Sequence, residues 1–390
     1  MSGAVDVSIV IVSYNSSDLL MLTLASVRRA MVGLEAEVFV VDNDSPDDSV
    51  ARVRSEAPWA HLMEMGFNAG FSKANNAALG LCRGRVVMLL NPDTVICADT
   101  LRRIVEHYDA NPSSGAVGVR MINGRGRFLG ESKRGYADIP ASVFKLTGLW
   151  RLAPRSRVLN AYYLGQYGEE DVCHAPILSG ACMAFPHRLM DEVGGLDEGY
   201  FMYSEDIDYS WRMDKASGGG NVYRGDVSIV HFKGQSTPRR KRFIDSFYDS
   251  MLRFAVKYEF PRHGAVVNAL TAVGVKVAYL FALARCVVMR SLEGKRVFEP
   301  PRSVVVFSDS DVNELKSRLA GGGMAVKTMT YGQMAQCREL PDAVLFSLDG
   351  DVGLAIDFMR HHRQGRCLFG FYNGDNGDAL VYFNNRCHKL

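Results

Sequence analysis

The first ninety residues constrain the fold more than any other stretch. Four short runs that read as strands, residues 7–14, 37–41, 61–65 and 85–90, are separated by segments of helical spacing. In the first of these segments Leu19, Leu20, Leu22, Leu24 and Val27 recur along one helix face, with Ser16 or Ser17 as the cap. A second helix is expected from Pro46, after Asp44 and Ser45, and a third over 69–81. Strands alternating with helices in this way build an open, mostly parallel α/β sheet. Such sheets bind ligands beyond the carboxyl ends of their strands. Tyr14, Asn15, Asp42, Asn91 and Asp93 all fall at that edge.

Further along, residues 124–175 read as an irregular, partly mobile region over the site. A strand follows over 178–185, a short helix over 186–193, a helix over 205–215 and a strand over 227–231. Helix is expected over 244–258, and an apolar stretch over 266–288 is interrupted by Asn268, Lys276 and Arg285. From Arg302 a second α/β pattern begins, with strands at 304–307, 343–346 and 367–371 and helices at 311–319 and 353–360. The expected division is 1–243, 244–300 and 301–390. The turn FSDSDVNE after the first strand of the last unit lacks a GxGxxG fingerprint, so an interaction or regulatory role is expected there rather than a cofactor.

The 45 Lys and Arg stand against 43 Asp and Glu. That balance argues against a nucleic-acid partner, which calls for a basic excess. None of the eight cysteines forms a CxxC pair, so reduced structural thiols are expected. No charged segment precedes the first apolar run, so no signal peptide is expected.

Several residues suit the chemistry of phosphate leaving groups. Asp93 follows a strand in LLNPDT and reads either as an oxygen ligand for a hard cation or as an ordinary turn residue. Asp42 in VVDND can accept from a nucleobase or a ribose hydroxyl, or serve a helix start. Glu205, Asp206 and Asp208 crowd a helix start in FMYSEDIDYSWRM. Such a cluster either compensates the helix dipole or supplies a general base. His231 ends a strand, and Lys233, Ser236, Arg239 and Arg240 after it could close over a diphosphate.

The pieces SIVIVSYN, EVFVVDNDSPD, GFNAGFSKANNAAL, VVMLLNPDT, LSGACMAF, GGLDEGYFMYSEDIDYSWRM and IVHFKGQS stand in one order over about residues 7 to 240. In that order the chain resembles the family 2 glycosyltransferases, inverting enzymes with a Rossmann-like sheet of the GT-A type. Within the family it is most similar to bacterial rhamnosyltransferases of surface polysaccharide synthesis. The resemblance implies a nucleotide diphosphate sugar as donor and a glycan or lipid-linked saccharide as acceptor. It implies that Tyr14, Asn15 and Asp42 hold the nucleoside, and that Asn68, Gly70 and Asn75 line its pocket. Asp93 stands at the second acid of the DxD motif, with Asn91 in place of the first. Asp93 and His231 would hold Mn²⁺ or Mg²⁺. Gly180 and Ala181 would lie near the sugar, Asp206 would be the base with Glu205 shaping its field, and Arg212 and Lys233 would contact phosphate. Two other readings compete: a nucleotidyltransferase, disfavoured because VSYNSSD supplies no Gly-rich basic loop, and a non-catalytic sugar-nucleotide binding subunit. Arg262, Lys276 and Arg290 recur at two-heptad spacing. The stretch 266–288 therefore reads equally as a helix lying in a membrane interface or as one packed on a neighbouring domain. The expected location is cytoplasmic, peripheral on the inner face of the cell membrane.

Overall fold

The computed structural model describes residues 4–233, 241–292, 298–337, 339–383 and 386–390. The first unit alternates as expected: β1 Val7–Ser13, α1 Ser17–Ala30, β2 Ala36–Asp42, α2 Ser49–Glu56, β3 His61–Glu64, α3 Phe71–Leu79 and β4 Val86–Leu90. β5 Thr94–Ile96, α4 Thr100–Ala110, β6 Val117–Ile122, β7 Lys133–Arg134, α5 Ile139–Thr147, β8 Val172–His174, β9 Ile177–Leu178 and β10 Cys182–Pro186 follow. α6 His187–Val193, α7 Glu205–Ala216 and β11 Val222–His231 complete it. The sheet order is β3-β2-β1-β4-β10-β6-β11-β5. β3, β2, β1 and β4 run parallel, β10 is antiparallel to both its neighbours, and β11 pairs parallel with β6. β1 and β4 are buried throughout, as strands covered on both faces must be.

Three elements depart from the sequence reading. α2 starts at Ser49 rather than at Pro46. The intervening residues form a turn, in which Asp42 Oδ2 accepts from Ser45 N at 2.9 Å and Asp47 accepts from Ser49 N and Ser17 N. The strand expected over 178–185 is two strands, broken at Ser179–Gly180–Ala181. The stretch 124–175 holds β7, α5 and β8. α5 has clear local causes: Asp138 caps it by accepting from Ala141 N at 2.8 Å, Pro140 stands in its first turn, and Gly148 ends it at φ 77°. The buried Lys133 ammonium donates to three carbonyls, of Tyr163, Leu164 and Tyr167.

α8 Lys241–Phe254 and α9 Ala265–Leu292 form a hairpin through a π-turn at Ala255–Glu259 and a 3₁₀ turn at Phe260–Arg262. Arg262 therefore lies before α9, not on its face, and the side chain of Arg290 falls outside the described residues. Lys276 and Arg285 are exposed on α9. Residues Ala265–Val287 are long and apolar enough to cross a membrane, and 6% of that stretch is buried.

The second unit is a six-stranded sheet of order β13-β12-β14-β15-β16-β17. Its strands are β12 Ser303–Phe307, β13 Ala325–Met329, β14 Ala343–Ser347, β15 Leu368–Asn373, β16 Asp378–Phe383 and β17 Arg386–Lys389. Helices α10 Asn313–Gly321 and α11 Val352–His361 connect them. The two units share one core. Leu19, Leu22, Val95, Val230 and Phe232 of the first pack with Phe346, Ile356, Phe371, Leu380 and Tyr382 of the second.

Candidate functional site

The carboxyl ends of β1, β2 and β4 carry the residues expected there. Asp42 is buried; one carboxylate oxygen holds Ser45 N and the other, Oδ1, has no partner. A buried acceptor left unpaired is costly unless a ligand supplies the donor. Next to it Asn43, which the sequence reading passed over, accepts from Ala69 N at 2.8 Å and donates to Asn68 Oδ1 at 3.1 Å. Asn68 Oδ1 also accepts from Gly70 N. Gly70 sits at φ 82°, and a Cβ there would come 2.6 Å from the Phe201 carbonyl, so only glycine fits. Tyr14 is exposed at this edge, and Asn15, at φ 51°, donates its N–H to Ser45 Oγ at 3.0 Å.

Asn75 and Arg212 have other partners. Asn75 is buried within α3 and donates to Phe71 O at 2.9 Å. Arg212 donates to Asp208, to Val193 O and to Gly195 O. These bonds tie α7 to the end of α6 and the loop after it.

The Asn91-Pro92-Asp93 turn is fixed from below by Thr23 of α1, whose hydroxyl lies 2.8 Å from both Pro92 O and Thr94 O. β5 then pairs with the end of β11, opposing Thr94 to His231. This register sets His231 Nε2 3.2 Å from Asp93 Oδ1, with the two side chains only 8% and 6% exposed. Asp93 Oδ1 and His231 Nδ1 have no hydrogen-bond partner. Beside them Lys233 is ion-paired with Glu131. Burial lifts the Glu131 carboxyl, but Lys233 outweighs it and the net shift is downward.

Asn91 links this turn to the base candidate. Its N–H donates to Ala181 O at 2.9 Å, and the adjoining Gly180 N lies 3.3 Å from Asp206 Oδ2. A side chain at 180 would begin 3.2 Å from Asp206 Cβ, so the lack of one at Gly180 eases the close approach of α7. Asp206 Oδ2 also accepts from Arg134 Nη2 at 2.6 Å. Arg134 is buried, bonds Leu178 O as well, and comes from β7 in the stretch read only as irregular. The signal available in sequence was a basic pair in KRGY, with nothing to mark its partner. Glu205 is buried with Oε2 unpaired. Burial first, and then the Asp206 charge, hold its carboxyl well above the usual range. A protonated Glu205 adds no negative charge beside Asp206 and can donate a hydrogen bond.

Asp208, the third acid of the cluster, is fully buried and is an anchor. It accepts from Lys257 Nζ at 2.6 Å, Tyr258 OH at 2.7 Å and Arg212 Nε at 2.8 Å. It thus ties α7 to the π-turn that leads into α9.

Residues 8–194 match the Glycosyl transferase family 2 profile. Over 245 residues the chain is 28% identical to an N-acetylglucosaminyl-diphospho-decaprenol L-rhamnosyltransferase of Mycobacterium tuberculosis, a match covering 59% of this chain and 77% of that one. It is 26% identical to a low-salt glycan biosynthesis hexosyltransferase, Agl10, of Haloferax volcanii, over 62% and 71% of the two chains. Among solved structures it resembles a mannosyltransferase from Pyrobaculum calidifontis in complex with GDP-Man and Mn²⁺, at 18% identity and a TM-score of 0.45, over 82% of this chain and 80% of that one. The profile match ends before α7, so Asp206 and His231 lie outside it. The parallel half of the sheet, its polar edge and the profile match lead to one statement: the chain carries a glycosyltransferase family 2 domain.

Proposed function

We propose that the protein is an inverting glycosyltransferase of cell-surface glycan synthesis, with rhamnose as the sugar and a lipid-linked saccharide as the acceptor. The reading is carried by one observation: the chain of contacts Asn91–Ala181 and Gly180–Asp206 puts the Asp93–His231 pair and the base candidate on one sheet edge. Tyr14, Asn15, Asp42, Asn68 and Gly70 would hold the nucleoside, Gly180 and Ala181 would border the sugar, and Lys233 would meet the diphosphate. Asp206 takes the proton of the acceptor hydroxyl as that oxygen attacks the anomeric carbon. The bond to the diphosphate breaks and the diphosphate leaves with the electron pair; a single displacement inverts the centre. The rhamnose and surface-glycan assignments follow the likeness to the mycobacterial and haloarchaeal relatives.

The buried Asp93–His231 pair, with Asp93 Oδ1 and His231 Nδ1 lacking a hydrogen-bond partner, fits a divalent cation. Among the described residues no third His, Cys, Asp or Glu joins them. Such ions are commonly held by one or two protein ligands, with phosphate oxygens and water completing the shell. A bound Mn²⁺ or Mg²⁺ would neutralise the leaving diphosphate. His231→Ala and Asp93→Ala should each raise the half-activating metal concentration by on the order of tenfold or more, given that even outer-shell partners are worth ~10–100-fold. Equal nucleotide diphosphate affinity with metal and with excess chelator, measured by calorimetry, would remove the metal from the mechanism. The same experiment, with donor hydrolysis beside it, separates an enzyme from a binding subunit.

The exposed apolar side chains of α9, among them Leu270, Val273, Val277, Leu280 and Phe281, support membrane association at the inner face. Lys276 and Arg285 interrupt the stretch, which favours lying in the interface over spanning. Each basic residue near an anionic surface contributes about 1 kcal/mol, screened over a Debye length of about 8 Å. The protein should float with anionic vesicles at low salt and be released in large part by high salt. Flotation that resists salt and yields only to detergent indicates a spanning helix, and absence of flotation removes the membrane from the reading.

A further inference from the structure

The second unit has no role in the chemistry above, yet it meets the metal-site strands directly. Phe232, next in sequence to His231, is 1% exposed and donates its N–H to Asp93 O at 2.9 Å. It therefore touches both halves of the pair through the backbone. Its ring packs against two rings of the second unit, Phe371 at 6.1 Å and Tyr382 at 5.9 Å between centroids. Val95 and Val230, which flank the pair on β5 and β11, enter the same core. Tyr382 also lies under the turn that leads toward Glu131: a Cβ at Gly124 would fall 2.3 Å from its ring. The contact is fixed at its far side by ions. Arg52 of α2 reaches Asp378 at 2.5 Å, with side chains 14% and 6% exposed, and Arg29 of α1 lies between Asp349 and Asp375. These acids sit at the carboxyl edge of the second sheet, where an α/β unit of this kind would otherwise receive a ligand. That edge is partly occupied by the first unit.

We propose that the second unit is the rear wall of the metal site, and that Phe371 and Tyr382 are positioning residues which hold His231 against Asp93 by clamping Phe232. This rests on the metal reading of Asp93 and His231. Close-packed interiors transmit small displacements rather than absorbing them, so a cavity beneath Phe232 shifts the His231 nitrogen offered to the metal.

The test uses the full chain and titrates Mn²⁺, following the free-ion electron paramagnetic resonance signal in the presence of whichever nucleoside diphosphate the wild type binds. Tyr382→Ala should raise the Mn²⁺ dissociation constant roughly tenfold, a loss in the range of other positioning contacts at metal sites. Tyr382→Phe, which keeps the ring, should restore it. Phe371→Leu keeps apolar bulk while removing the ring edge and should weaken Mn²⁺ in the same direction; it covers the case in which Tyr382→Ala does not fold. Leu315→Ala is the control: it hollows the far side of the same sheet, away from Phe232, and should leave Mn²⁺ affinity unchanged. If Leu315→Ala weakens Mn²⁺ as much as Tyr382→Ala, the effect is general loosening and the clamp is overturned. Unchanged affinity in folded Tyr382→Ala overturns it as well. Wild-type protein that binds no Mn²⁺ sinks the metal reading itself, and the clamp with it.

Discussion

Asp206→Asn is expected to abolish transfer while leaving donor binding close to wild type. The amide keeps the shape of the side chain and can still meet Gly180 N, but it cannot take the acceptor proton. Loss of a general base is typically worth ~10²–10⁴ in rate. The structure adds a reason to measure binding separately. Asp206 is the ionic partner of the buried Arg134 at 2.6 Å, so the substitution also leaves a buried guanidinium short of its charge. If that disturbed the site as a whole, nucleotide diphosphate affinity would fall with the rate. A rate loss at unchanged affinity is the signature of the missing base. Near-wild-type turnover would assign the base elsewhere.

The largest stability effect is expected at Asp208. Asp208→Ala removes the acceptor shared by Lys257, Tyr258 and Arg212. Breaking a buried pair by deleting one partner costs ~3–5 kcal/mol. Lys257 is 36% exposed and Arg212 19%, so both cations can regain water, which places the expected loss near the lower end, at about 3 kcal/mol. Chemical denaturation measures it directly. Lys257→Met should cost less, because Asp208 keeps Arg212 and Tyr258. A loss at Asp208→Ala no larger than that of an exposed pair would mean α7 is anchored by its apolar face alone. Since α7 presents Asp206 from its first turn, turnover at a temperature where the variant remains folded should fall more than donor affinity.

The parallel half of the sheet was legible because its signals are local. β1, β2 and β4 each form from a short, mostly apolar run, and the polar residue closing each run lands at the sheet edge by that fact alone. The pairing of Asp93 with His231 was legible only as order along the chain, since it depends on β5 meeting β11 across more than a hundred residues. Arg134 was not legible at all. It sits on a two-residue strand, and nothing in KRGY distinguishes a buried partner of Asp206 from a solvated arginine. Asn43 was hidden for a related reason: its bonds to Ala69 and Asn68 cross from one loop to another, and no periodicity records them. In the second unit the runs at 304–307, 343–346 and 367–371 were visible. β13 was not, because AVKTM is largely exposed and carries little apolar signal. Asn75 and Arg212 both lie in motif stretches, and the bonds they make are to the scaffold.

Sharing a core across the chain also orders events during synthesis. Leu19, Leu22, Val95, Val230 and Phe232 find their apolar partners between Val305 and Tyr382. At ~5–20 residues per second, the first unit leaves the ribosome on the order of ten seconds before those partners do. In that interval its strands can pair and its polar edge can form, but one face of α1, β5 and β11 stays open to water and to other nascent chains. The edge formed by β1, β2 and β4 is thus able to mature early and the Asp93–His231 pair only late. A holdase that covers the waiting face would be expected to raise the yield of soluble protein more than faster translation would.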